Sequence, residues 1–399
     1  MGDLKRRRSR KRKQHMLTVV SISVIVLAAV ITGVIFMNAG NHSDKDTQQV
    51  GQTGSEHLNH AGNLDETEKG DDTEENSEED TESTPIIEDF TMFFTGDVML
   101  QRCTDLYESR GINGIISEYI ESEMVGADMT VINNEFPFSN RGSQHPDKQF
   151  TFRVDPVYVS ALQDMGVDVA SLANNHALDF GVDALLDSFT TLDGAGIPYV
   201  GAGETKERAE EAVFVEAGGR TVGVLSASRV IPVVEWNIEN RQPGLFCTYD
   251  STRLVQRIQE IENQCDYVVV FVHWGIERKA LPEEYQHNLA KQYIDAGADL
   301  VVGNHSHVPQ GIEYYKGVPI VYCLGNFIFN PDMTDTYTLK VVWDAEGNTS
   351  LQVIPVDTKN YYTSELTGSE AQAFYEYLES ISFDVSIDEN GMVTNLVEE

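Results

Sequence analysis

Basic residues are scarce beyond the start of this 399-residue chain. Eight Lys and Arg fall in the first 13 positions, whereas residues 91–399 hold 18 bases against 47 acids. No basic stripe remains to follow a phosphate backbone, which excludes nucleic acid as a partner. Cysteine is equally sparse. Cys103, Cys247, Cys265 and Cys323 contain no C-x-x-C pair, which excludes a zinc knuckle or a thioredoxin-like centre. A disulfide is open to them only in an oxidising compartment, and Cys103 and Cys323 read as buried packing residues. Residues 41–89 are low in apolar side chains and dense in Asp, Glu, Ser, Thr, Gly and Asn. Such a segment cannot bury enough surface to offset its ordering entropy.

What is present divides the chain. Residues 1–16 carry the basic cluster and are expected in the cytoplasm. Residues 17–37 are 21 positions without a charge, enough helix to span roughly 30 Å of hydrocarbon. The run is long for a signal peptide and no A-x-A site follows it. It therefore reads as an uncleaved signal anchor over 17–38, with everything beyond it outside the cell. Residues 39–90 read as a disordered acidic linker, kept extended by its own charge. Residues 91–358 read as the folded domain, and 359–399 as a C-terminal helix and tail.

The folded domain alternates strands and helices. Strands are expected at 91–95, 129–133, 167–173, 267–272, 300–303 and 320–323, and helices at 156–165, 184–192, 253–262, 283–296 and 371–381. Hairpins are expected around Gly218-Gly219 and around Glu346-Gly347-Asn348. This pattern predicts an α/β class, with helices packed outside a sheet.

The strands end in the same kind of residue. Asp97, Glu135, Asn175-His176, His273 and the pair His305/His307 each follow a strand directly. Asn and Asp also begin turns and cap helices, so any one could be local punctuation. His and Glu are poor turn formers, and polar residues at the carboxyl ends of such strands point to one shared site. On extended backbone, His305 and His307 at i and i+2 would point the same way. Carboxylate, amide oxygen and imidazole together suit one or two divalent ions of Mn, Fe, Zn or Mg. Two metals about 3.5–4 Å apart can clamp a phosphoryl group and activate a water.

The longer motifs carry a resemblance. They are Gly96-Asp97-Val98-Met99-Leu100-Gln101-Arg102, Asn133-Asn134-Glu135 and Ala173-Asn174-Asn175-His176 with Asp179 and Gly181. His273-Trp274-Gly275 with Glu277, Gly303 to Val308, and Leu324-Gly325-Asn326-Phe327 complete the set. In this order, over about residues 93–329, they resemble the CapA family of bacterial poly-γ-glutamate (capsule) biosynthesis proteins. That family's fold is similar to calcineurin-like metallophosphoesterases. The resemblance implies a four-layer α/β/β/α sandwich with its site at one sheet edge. It implies Asp97 and His307 on a first metal, Glu135 bridging, and Asn175, His273 and His305 on a second. His176 would be the catalytic acid, and Arg102 and Arg153 would grip an anionic substrate. Met99 stands where phosphoesterases carry a ligating His, and a thioether is a poor ligand for hard metals. Asn304 and Ser306 replace the family's first His and its Pro, and Glu135 stands where phosphoesterases prefer Asp.

The expected function is a membrane-anchored, extracellular part in synthesis or export of poly-γ-glutamate, or of another anionic surface polymer, beside membrane synthase subunits. An extracellular metal-dependent phosphoesterase or other hydrolase, and a polymer-binding protein without turnover, are the alternatives.

Overall fold

A computed structural model of the chain describes residues 87–146 and 148–397. The basic start, the expected membrane anchor and nearly all of the expected linker lie outside the described residues.

Two sheets form. The first runs from edge to edge as β17 (Val385–Ile387), β18 (Met392–Asn395), β15 (Thr349–Lys359), β14 (Asp332–Trp343), β1 (Phe90–Val98), β2 (Met129–Asn134), β3 (Val169–Ser171) and β4 (Tyr199–Val200). Beside it, β13 (Asn326–Ile328) pairs in parallel with the end of β1, and β16 (Tyr362–Glu365) pairs with β15. The second sheet runs as β11 (Gln310–Tyr315), β12 (Val318–Cys323), β10 (Leu300–Asn304), β9 (Tyr267–His273), β7 (Arg220–Ser228) and β6 (Val213–Ala217). β5 (Ala202–Gly203) and β8 (Gly244–Leu245) make a small antiparallel pair. The centres of both sheets are parallel: β1 to β4 in the first, and β7, β9, β10 and β12 in the second.

Side-chain alternation sets the layers, because successive residues of a strand face opposite ways. Met92 and Phe94 of β1 share a buried cluster with Val269 and Phe271 of β9 and with Leu300 and Val302 of β10, so the sheets pack face to face. Phe93 points outward, against Leu106, Ile120, Leu162 and Leu185. Those four lie on α1 (Thr104–Arg110), α2 (Glu118–Gly126), α3 (Val159–Asp164) and α4 (Val182–Ala195). The one-turn α5 (Lys206–Ala209) follows. On the far side, Val268, Val270 and Val301 pack with Leu254, Ile258, Leu289 and Tyr293 of α6 (Thr252–Glu262) and α7 (Glu284–Asp295). The order is helices, sheet, sheet, helices. Each fully buried apolar side chain contributes ~1.5–3 kcal/mol.

The helices start and stop on chemistry legible in the chain. The Ser117 hydroxyl accepts from the Ile120 N–H at 3.2 Å and begins α2. Glu283 and Gln286 form a capping box at the start of α7. Gly196, in the left-handed region at φ 68°, ends α4.

Two boundaries differ from those expected. Phe90, assigned to the linker, opens β1 and is fully buried, because its ring stacks on Trp343 at 4.9 Å. The segment after residue 358 is no appendage. β16, β17 and β18 join the first sheet, and α8 (Gly368–Ser380) buries Ala371, Phe374 and Leu378 in the cluster between the sheets. Its strands are three or four residues long, too short for periodicity to reveal.

Trp343 also meets the Tyr267 ring at 5.2 Å and so joins β14 to β9 across the sandwich. Trp343→Ala is expected to cost ~3–5 kcal/mol, read as a lower urea midpoint. An unchanged midpoint would show that this stack does not hold the sheets together.

Candidate metal centre

The carboxyl ends of the parallel strands meet between the two sheets. In β2, Val131 faces the inner cluster and Ile132 the outer one, so Asn133 and Glu135 return to the inner side. β1 reaches the same register through a bulge between Phe94 and Asp97, after which Asp97 lies opposite Asn133. A one-residue shift flips every later side chain to the other face. It turns Asp97 inward and Val98 outward, and Met99, where the chain leaves the strand, also packs in the outer core. Met99 is fully buried there. From the second sheet, β9 and β10 bring His273 and Asn304 side by side. Two glycines allow the close approach. A Cβ on Gly96 would lie 1.9 Å from the Gly325 carbonyl oxygen, and one on Gly303 would lie 2.1 Å from that of Tyr322.

Across this seam the expected residues meet. His273 Nε2 is 2.9 Å from Asn175 Oδ1, and His273 Nδ1 is 3.5 Å from Glu135 Oε1. His307 Nδ1 is 3.1 Å from Asp97 Oδ2 and 2.8 Å from Asn326 Oδ1. The first of these is an ion-pair distance without hydrogen-bond alignment, since Oδ2 is among the buried atoms that accept no bond. The His273 and His305 ring centres are 4.6 Å apart. His305 and His307 are not on extended backbone as expected. β10 ends at Asn304, and the two have φ of 102° and 60°. Side chains adopt that region at a cost of about 1–3 kcal/mol each, a strain found mainly at functional sites.

Asn133 is the residue that the sequence did not single out. Its Nδ2 donates to Asp97 Oδ1 at 2.8 Å and to Glu135 Oε1 at 2.9 Å, and stands 3.2 Å from His273 Nδ1. Asn174 Nδ2 in turn donates to Asn133 Oδ1 at 3.1 Å, which fixes the amide's orientation. The Asn133-Asn134-Glu135 motif was the available signal.

Asp97 and Glu135 are fully buried, and Asp97 Oδ2, Glu135 Oε2 and His305 Nδ1 make no hydrogen bond within the protein. Burial, then the Asp97 charge, pushes Glu135 well above the usual carboxylate range. Burial, then His305 and His307, pushes His273 well below the usual imidazole range. Burial and the neighbouring His307 lower His305 to about 3. Burial acts downward on His307 too, but Asp97 and Glu135 lift it to about 9. Donor atoms of Asp97, Glu135 and His273 lie within 4.8 Å of one another. Orphaned carboxylate oxygens beside neutral imidazole are the donor set that a divalent cation satisfies.

A groove of about 510 Å³ opens beside these residues, lined among others by His176, His307, Phe152, Phe329, Arg102 and Arg278. His176 Nδ1 lies 2.7 Å from Asp179 Oδ2 and 3.1 Å from Lys148 Nζ. Lys148 also donates to the Asn175 carbonyl and, at 2.5 Å, to Asp179 Oδ1. The shorter contact assigns the Nδ1 proton to a bond with Asp179, which leaves Nε2 of the neutral ring as an acceptor. Burial lowers the His176 imidazole and so favours that neutral form. The acid role implied by resemblance therefore requires the ring to take up a proton first. Arg153 is not among the lining residues. Its guanidinium stacks on Phe180 at 4.1 Å, and its Nη1 donates to the Arg141 carbonyl at 3.0 Å.

The histidine shifts fix a pH profile for the metal-free protein. His305 binds its proton more weakly folded than unfolded, so its contribution to stability is lost as pH falls from about 6.5 toward 3. His307 binds its proton more tightly folded, so its contribution is lost as pH rises from about 6.5 to 9. Thermal melts with chelator present should peak near neutrality. His305→Ala should flatten the acid limb and His307→Ala the alkaline limb. Parallel profiles for all three proteins would contradict these assignments.

The sequence has known relatives. Residues 91–331 match the family model "Bacterial capsule synthesis protein PGA_cap". The PGA biosynthesis protein CapA of Bacillus subtilis (strain 168) is 31% identical over 270 residues, covering 66% of this chain and 70% of that protein. The capsule biosynthesis protein CapA of Bacillus anthracis is 30% identical over 280 residues, covering 68% of each. A hypothetical protein from Thermus thermophilus of solved structure aligns with a TM-score of 0.43 and 16% identity, over 67% of this chain and 99% of that one. By the span of the family match and the identity to its named members, this chain belongs to the CapA family of poly-γ-glutamate capsule biosynthesis proteins.

Proposed function

We propose that this chain acts in the synthesis or export of poly-γ-glutamate, as a membrane-anchored protein on the outer face of the cell that holds a divalent metal between its two sheets. The observation that carries the reading is the buried group Asp97, Glu135 and His273, opening beside a groove lined by two arginines. Asp97 and Glu135 would supply the anionic donors, and His273, His305 and Asn175 neutral ones, with Asn133 aiming the carboxylates. When bound, the metal would supply a Lewis acid for an acyl or phosphoryl oxygen. The acidic body repels a polyanion in bulk, so contact is confined to where metal and arginine stand. The 17–38 run would anchor the chain and the linker would space the domain from the bilayer.

A hydrolytic role is the second reading, in the manner of the metallophosphoesterases that the ligand set resembles. His176 favours it, as an imidazole held by Asp179 with its other nitrogen free to take a proton beside the groove.

Glu135→Ala and His176→Ala, each introduced into a polymer-forming host, separate these readings. Loss of surface polymer in both is expected if the site is catalytic. Loss in Glu135→Ala alone is expected if the metal serves binding or assembly. Wild-type polymer from both, at normal protein levels, would overturn the proposal. Placement is checked by fractionation: the chain should sediment with membranes, and its domain should be cleaved by protease added outside protoplasts. A domain protected in intact protoplasts would contradict the outward orientation.

A further inference from the structure

We infer that Arg278, together with Arg102, is the anion-receiving pair of the groove, and that Arg278 sets which chains the site accepts. The inference rests on the polymer reading above and names the residues that would recognise the polymer.

Bases are few in this acid-rich domain, and most are already held. Lys148, Lys206, Arg253, Lys291 and Lys340, for example, lie against carboxylates. Arg153 and Arg220 donate to backbone carbonyls, and Arg229 lies over Tyr249 and Tyr285. Among the described residues only Arg102, Arg110, Arg241 and Arg278 have side chains with no such partner. Two of these four, Arg102 and Arg278, line the same groove, and it is the groove beside the candidate metal centre.

The root of Arg278 is fixed. It is a non-glycine residue in the left-handed region, at φ 63°, and its N–H donates to the Ser306 carbonyl at 2.7 Å. Ser306 lies between His305 and His307, so the arginine is tied to the histidine loop. Backbone strain of this kind at a groove is a marker of function. The other walls define the ligand. Phe150, Phe152, Phe329 and Met333 offer apolar surface, while Glu277 and Asp332 repel anions. A chain whose carboxylates are joined by ethylene and amide units suits this lining, with its anions at the two arginines and its ethylene groups on the aromatic rings. The two acids exclude anions elsewhere, so the arginines would fix the register of the chain.

The test uses the full-length chain in detergent at fixed divalent metal, titrated with a fluorescent γ-linked glutamate oligomer. Arg278→Ala should weaken binding about tenfold and reduce its salt dependence. Arg278→Lys should recover only part of the loss, since an ammonium lacks the bidentate fork. Arg241→Ala, outside the groove, should bind as wild type, and metal content should be the same in all variants. Equal affinities for Arg278→Ala and Arg241→Ala would overturn the assignment while leaving the polymer reading intact. Wild-type protein that ignores the glutamate oligomer but binds inorganic polyphosphate through Arg278 would keep the arginine pair and overturn the polymer reading. Binding of neither probe would overturn both.

Discussion

Two carboxylates buried side by side constrain the rest of this structure. Asp97 and Glu135 are both removed from solvent; burying a charge costs several kcal/mol per ion, and that cost pushes the Glu135 carboxyl well above the usual carboxylate range. Asn133 meets part of that cost with one amide that serves both groups. His307 meets another part from the opposite sheet. One oxygen of each carboxylate remains without a protein hydrogen bond. A fold stabilised mainly by apolar burial keeps such a feature at a cost, and a divalent cation would relieve it. The bulge in β1, the close approach at Gly96 and the strained histidine loop bring these side chains from two sheets to one point.

Much of this was legible in the sequence, because the residues concerned sit where periodic patterns stop. Asp97, Glu135, Asn175, His273, His305 and His307 follow strands whose apolar runs are clear, and the structure gathers them at one seam. Three things were not legible. Asn133 and His273 are 140 positions apart, and their contact depends on how closely the two sheets pack. The inward turn of Asp97 depends on a bulge, which leaves no periodic trace. Lys148 pairs with Asp179 and His176 from a loop without regular structure. The apparent defect at Met99 changes meaning for the same reason. The side chain belongs to the outer core just past the end of β1, so it is a packing residue and not a ligand pointing at the centre.

The groove links the buried centre to the acidic exterior. Its polar character is uneven: arginines at two places, carboxylates at two others, and aromatic surface between them. His176 stands where that groove meets the candidate centre, held by Asp179, itself paired with Lys148, in a way that leaves one ring nitrogen free. The candidate metal centre, the His176 ring and the two arginines thus share one opening. Such an arrangement serves either a chain that is held or a chain that is cut, and the difference lies in whether His176 exchanges a proton with it.

Elemental analysis and calorimetric titration of the purified chain test the central claim most directly. The Asp97, Glu135 and His273 group should take up a divalent metal in stoichiometric amount, with protons released on binding as the imidazolium of His307 and the raised Glu135 carboxyl lose theirs. Glu135→Gln should abolish that uptake while the protein remains folded. A folded wild-type chain that binds no divalent metal, or a Glu135→Gln variant that binds it unchanged, would contradict the claim.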